Sequence, residues 1–217
     1  MRLKLIFIQL LFTTQLIAQH SDTIIMDNTS VILNAYDDNT IIQEADSLKN
    51  INKLKEAIEK YSIVIELSPK NKKAISKRAF AYLQLDDYKK ALMDYNSAIK
   101  LNANNYINLC NRALVKWYLK DFYGAVNDCN KAVAIDATLA DAYFYKGISF
   151  YELINYKKAV INLDKSIKIN TNFTRAYFNR GNAKYKLKRL KEACEDWKHA
   201  EQLGHKMATT MIEQNCN

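Results

Sequence analysis

The four cysteines, Cys110, Cys129, Cys194 and Cys216, and the three histidines, His20, His199 and His205, are the first places to look for a metal, a nucleophile or a general base. A structural zinc site draws on closely spaced Cys and His pairs such as C-x-x-C, and no such pair occurs. His20 is close to the N-terminus, while His199 and His205 stand apart near the other end, so surface or capping positions suit them better than catalysis. Phosphate-cradling loops and nucleophile elbows both need clustered glycines. The four glycines, Gly124, Gly147, Gly181 and Gly204, are scattered singly. The acidic pair Asp86-Asp87 reads as a helix cap. No catalytic residue, metal or cofactor is expected, and the chain reads as a binding protein that performs no chemistry.

The elements that carry these residues are helical. Turn-rich β and doubly wound folds draw heavily on Gly and Pro, and 217 residues contain only 4 Gly and 1 Pro. An apolar fraction of 49% and an aromatic fraction of 11% argue for a folded chain with a large core rather than a disordered one.

An internal repeat organises most of the sequence. Ala57, Ala91, Ala125, Ala159 and Ala193 are spaced by 34 residues. In the same register stand Ala45, Ala79, Ala113, Gly147 and Gly181, and again Val64, Ala98, Ala132, Ser166 and Ala200. Small residues at a fixed period mark places where helices approach closely. Two large apolar columns, Ile51 to Leu187 and Leu67 to Leu203, are expected to fill the gaps between them. Asp87, Asp121 and Asn155 precede Tyr88, Phe122 and Tyr156, where each would cap the following helix. Each unit is then a helix, a tight turn and a second antiparallel helix. One pair cannot bury its apolar face alone, so successive pairs stack as a solenoid.

This pattern resembles the tetratricopeptide repeat. The unit 140–173 carries it in Tyr143, Gly147, Phe150, Tyr156 and Ala159, and the unit 72–105 in Ala79, Tyr82, Tyr88, Ala91, Tyr95 and Ala98. Departures are the loss of the helix-ending proline after Pro69, and Lys116 and Lys184 in place of the first-helix aromatic. The resemblance implies an all-α, right-handed solenoid of five repeats, 38–71, 72–105, 106–139, 140–173 and 174–205, followed by a capping helix and tail at 206–217.

Both ends carry further expectations. Met1-Arg2-Leu3-Lys4, the apolar run from Leu5 to Ala18 and the polar turn at Gln19 have the layout of a secretory signal peptide cleaved after Ala18. That run is short for a membrane span, and none is expected once the leader is removed. Residues 19–37 read as an arm or linker. An exported chain meets an oxidising compartment, where four cysteines allow three pairings. If the last two helices run antiparallel around Gly204, helix rise puts Cys194 about 15 Å and Cys216 about 18 Å from the turn. The ending from Ala193 to Cys216 also resembles that of exported repeat proteins of the Bacteroidetes, and this supports the pairing Cys194–Cys216. Cys110 and Cys129 are expected to be reduced and buried.

In this family the first helices line a concave groove that holds a segment of a partner protein. By resemblance, the groove positions are Phe80, Leu83, Asn111, Leu114, Trp117, Tyr118, Phe144, Tyr145, Ile148, Tyr151, Phe178, Asn179, Asn182 and Tyr185. The family's carboxylate clamp is not reproduced, since Ser76, Phe80, Asn111, Asp141 and Tyr145 at its five positions match only at the Asn. The aromatic members, about half of them exposed, point to a peptide or helix that is apolar or aromatic rather than to an acidic tail. The alternatives are a carbohydrate-binding or enzyme-accessory role through the same aromatics, and nucleic-acid binding prompted by the net charge of +9. The lysines are dispersed, as on solvated helix faces, where a nucleic-acid surface would gather them in a stripe. Neither the partner's identity nor the oligomeric state is written in the chain.

Overall fold

A computed structural model describes residues 37–216. The chain divides into two units, Met1–Thr40 and Ile41–Asn217, and of the first only residues 37–40 are described. The expected signal peptide and all but the last residue of the arm lie outside the described residues.

Eleven α-helices make up the described residues, without a strand among them. Ten form five antiparallel pairs: α1 (Asp38–Asn50) with α2 (Leu54–Leu67), α3 (Lys72–Gln84) with α4 (Tyr88–Leu101), α5 (Tyr106–Tyr118) with α6 (Phe122–Ile135), α7 (Ala140–Glu152) with α8 (Tyr156–Ile169), and α9 (Thr174–Lys186) with α10 (Leu190–Gln202). The last helix, α11 (Lys206–Asn215), packs on α10. Each pair also packs on the next, as a solenoid requires.

The small-residue columns mark the closest helix contacts. Every alanine from Ala57 to Ala193 in the first column is fully buried, as are Val64, Ala98, Ala132, Ser166 and Ala200 in the third. The two large columns behave differently. Ile51, Leu85, Leu67, Ile135 and Ile169 are exposed, because they fall at helix ends beside the turns. The residues that fill the interior are instead Tyr61, Tyr95, Cys129, Leu163 and Trp197, another column at the 34-residue period, all fully buried.

The turns repeat as faithfully as the core. Asp87, Asp121 and Asn155 each accept a hydrogen bond from the backbone N–H three residues on, at 3.2, 2.9 and 3.1 Å. Asn71 and Asn105 do the same for α3 and α5. One residue of every hairpin turn is left-handed: Asn52, Asp86, Lys120, Ile154 and Lys188, with φ between 57° and 64°. The β-branched Ile154 is the most strained of these.

A polar ladder runs beside the core, between residues sixteen apart. Arg78 holds Asp94 through two hydrogen bonds, Arg112 holds Asp128, and Arg180 holds Asp196. The first repeat reverses the polarity, with Lys60 on Glu44 at 2.6 Å. The fourth places Lys146 opposite Asn162 at the same positions. Lys116 and Lys184, which stand where an aromatic is usual, reach Asp128 and Asp196 at 2.8 Å each. The unusual lysines thus serve as second partners to buried carboxylates.

At the C-terminal end, α11 lays Ala208, Met211 and Ile212 over Trp197, Ala200 and Phe178. His205 stacks on Phe178 with ring centroids 4.1 Å apart, and burial pushes its pKa below the usual value. A disulfide joins Cys194 to Cys216, with Cα atoms 5.7 Å apart across 22 residues of sequence. Cys110 and Cys129 are free and buried, and burial pushes the Cys110 thiol up to about 12. A cross-link closing a loop of this length stabilises by about 3 kcal/mol in the chain-entropy account. Cys216→Ser is therefore expected to lower the chemical-denaturation midpoint, with proteolysis opening near Gly204. Equal midpoints for the wild type with and without reductant would contradict it.

Candidate peptide-binding face

The first helices α1, α3 and α5 stand side by side, and a cavity of about 510 Å³ opens between them. Helical spacing builds its walls. Lys72, Lys73, Ser76, Lys77 and Phe80 share one face of α3, while Ile107, Asn108 and Asn111 share one face of α5. Lys49 from α1, with Asn102 and Asn105 from the turn before α5, completes the lining.

Three contacts fix this geometry. Lys77 donates to both carboxylate oxygens of Asp46 at 2.8 and 2.7 Å, tying α3 to α1. The Tyr61 hydroxyl donates to the same carboxylate at 2.6 Å. Asn108 Nδ2 donates to Ser76 Oγ at 2.9 Å, tying α5 to α3. Burial would raise the Asp46 pKa, but the hydrogen bonds from Lys77 and Tyr61 outweigh it and hold the carboxyl below its usual value. The Lys49 ammonium lies 5.9 Å from the centre of the Phe80 ring.

The cavity walls carry four lysines, four asparagines, a serine and two apolar side chains, and no carboxylate. Lys49, Lys72 and Lys73 form no ion pair among the described residues. The site can therefore offer positive charge and amide hydrogen-bond partners to whatever enters. Among the described residues no cluster of three His, Cys, Asp or Glu could hold a metal ion, and no helix is long and apolar enough to cross a membrane.

The groove positions read from the sequence separate into two groups. Phe80 and Asn111 line the cavity. Tyr118 and Tyr185 are exposed, and Leu114, Trp117, Tyr151, Asn179 and Asn182 are partly buried. Leu83, Phe144, Tyr145, Ile148 and Phe178 are buried core residues and present no open groove surface. The correction has a steric cause. Residues of the next repeat and of the capping segment close over two of them: Phe144 packs on Phe173 at 4.9 Å with the Arg175 guanidinium 5.0 Å from its ring centre, and Phe178 is covered by His205.

Even the open members are engaged within the fold. Tyr118 stacks on Tyr88 at 4.4 Å, Trp117 meets Tyr118 edge-on, and Tyr151 meets Tyr156. Asn182 accepts a hydrogen bond from Trp197 Nε1 at 3.0 Å, and Asn179 donates to the Arg175 carbonyl at 2.8 Å. Of the seven aromatics expected on the face in repeats three to five, Tyr118 and Tyr185 are exposed, Trp117 and Tyr151 partly so, and three are buried. A cavity lined by four lysines lies at the early end of the face, in the first three repeats. Lys49, Lys72 and Lys73 were not among the expected positions, because on the sequence they look like any other dispersed lysines.

The tetratricopeptide repeat model matches residues 73–105 and 174–203. No curated protein sequence matches the chain. Among solved structures, a MamA protein is 21% identical with a TM-score of 0.70, over 79% of this chain and 94% of its own. YrrB, described as a tetratricopeptide protein with an unusual peptide-binding site, is 19% identical with a TM-score of 0.69, over 85% of this chain and 96% of its own. PilF of Pseudomonas aeruginosa is 16% identical with a TM-score of 0.70, over 77% of both chains. At these identities the likeness is one of fold, and it agrees with the helix pairs described above. The chain carries tetratricopeptide repeats and folds as an all-α tetratricopeptide solenoid.

Proposed function

We propose that the chain is a non-enzymatic interaction scaffold that holds a peptide or helical segment of a partner protein along the face built by its first helices. The observation that carries this reading is the cavity between α1, α3 and α5, whose walls are set by inter-helix hydrogen bonds and left open toward a ligand. A peptide-binding site is named for YrrB, which shares the fold. Preorganised walls reduce the ordering cost of capture. The test is site-specific photocrosslinking in cell extract. A photoreactive residue at Asn111 or Tyr118, on the first-helix face, is expected to yield discrete protein adducts. The same residue at Tyr123 or Ile161, exposed on second helices, is expected to yield none. Equal adducts from both faces would overturn the reading.

Export belongs to the same proposal. It is supported by the leader-like layout of residues 1–18 and by the Cys194–Cys216 disulfide, which persists in oxidising compartments. Fractionation of cells carrying a C-terminally tagged chain should recover it outside the cytoplasm, shortened at its N-terminus. A full-length cytoplasmic product would contradict export.

A further inference from the structure

We propose that the cavity between α1, α3 and α5 recognises an acidic segment of the partner through side-chain carboxylates, with an apolar residue of that segment seated beside Phe80. The inference rests on the scaffold reading above and specifies its ligand.

Charge complementarity carries it. Lys49, Lys72 and Lys73 converge on one cavity from two helices, and no lining residue bears a carboxylate. The nearby Asp46 is engaged first by Lys77 and Tyr61, with Lys49 a lesser charge neighbour, so one carboxylate faces four lysines and the cavity keeps a net positive charge. Three like charges gathered at a concave surface focus a positive potential into it. The asparagine amides add directional partners that can orient carboxylates but cannot neutralise them. Phe80 and Ile107, the latter exposed, supply the apolar contact in the same space.

Two features favour an internal acidic segment over other anions. The family's clamp for a chain-terminal carboxylate is absent, since its five positions across the first three repeats carry Ile42, Asp46, Lys77, Ile107 and Asn111. The cavity also offers a single aromatic ring, whereas single-stranded nucleic acid is gripped by successive stacking platforms.

The test is fluorescence anisotropy with the full chain and a labelled peptide that alternates glutamate pairs with leucine and ends in an amide. Saturable binding is expected, weakening from low to physiological ionic strength. Lys49→Gln/Lys73→Gln is expected to lose about tenfold in affinity, equivalent to about 1.4 kcal/mol, while circular dichroism shows an unchanged helical fold. The same peptide with glutamine for glutamate is expected not to bind. Equal binding of the glutamine peptide, an undiminished affinity in the double variant, or binding only when the C-terminal carboxylate is free would each overturn the proposal. Tighter binding of an oligothymidylate than of the acidic peptide would do so as well. Photocrosslinking at Asn111 separates the two levels. Adducts that persist in the double variant leave the scaffold reading standing and remove only the acidic ligand, whereas no adducts in either protein remove both.

Discussion

Asp128→Ala is expected to destabilise the chain by about 3–5 kcal/mol, the range for breaking a buried ion pair by removing one partner. Asp128 is fully buried and accepts from Arg112 at 2.8 and 2.6 Å and from Lys116 at 2.8 Å. Both cations are themselves largely enclosed, with 13% and 17% of the side chain exposed. Removing the carboxylate leaves two positive charges beside each other in a poorly solvated place. The matched control is Asp164→Ala, whose half-exposed side chain accepts from Arg180 at 2.6 Å and should cost under about 1 kcal/mol. The triple replacement Arg112→Met, Lys116→Met, Asp128→Leu should recover most of the loss, because it removes the stranded charges together. Urea denaturation measures all three. A cost for Asp128→Ala no larger than for Asp164→Ala would show that the third repeat does not depend on this trio.

The same trio illustrates what sequence reading captures in a solenoid. A period of 34 residues identifies which positions are equivalent, and small residues at equivalent positions identify helix contacts, because only a steric constraint repeated in every unit excludes larger side chains. Those columns are indeed the buried ones. The period says much less about large residues. Ile51 and Tyr61 both recur as bulky positions, yet one is exposed at a turn and the other fully buried, since the outcome depends on which side of the helix faces the neighbouring pair. The Arg–Asp ladder was visible in principle as opposite charges sixteen residues apart, but a charge is ordinarily read as solvated.

The candidate site was harder to read for a related reason. Its walls join residues about one repeat apart, such as Asp46 with Lys77 and Ser76 with Asn108. Groove columns carried over by resemblance treat all repeats alike, whereas the helices close over Phe144 and Phe178 and leave space between α1, α3 and α5. That difference arises from local side-chain volumes in unequal repeats. It moves the open, chemically distinctive part of the face from the aromatic late repeats to the basic early ones.

Unequal volumes also make Trp197 the residue whose loss should match that of Asp128. Its indole is fully buried, donates to Asn182, and closes the core between the fifth pair and α11. Trp197→Ala is expected to cost about 3–5 kcal/mol through the cavity it leaves. The position facing it is Gly181, where a Cβ would lie 2.6 Å from Trp197 Nε1 and 2.7 Å from Cδ1. The first three repeats place alanine there, at Ala45, Ala79 and Ala113, opposite Tyr61, Tyr95 and Cys129, while the fourth sets Gly147 against Leu163, where a Cβ would lie 2.7 Å from Leu163 Cγ. The glycine is thus the complement of the tryptophan, and the two should be coupled. Gly181→Ala in the wild type is expected to cost about 1–3 kcal/mol by overpacking. In the Trp197→Ala background the same change should reverse sign and gain up to about 1 kcal/mol, the helix-propensity advantage of alanine over glycine. A double-mutant cycle read by circular dichroism during denaturation measures the reversal. If Gly181→Ala costs the same in both backgrounds, the indole is not what requires the glycine. The constraint then lies with the Ala193 carbonyl oxygen, which the same Cβ would meet at 3.2 Å, and close backbone approach rather than side-chain volume sets the spacing of α9 and α10.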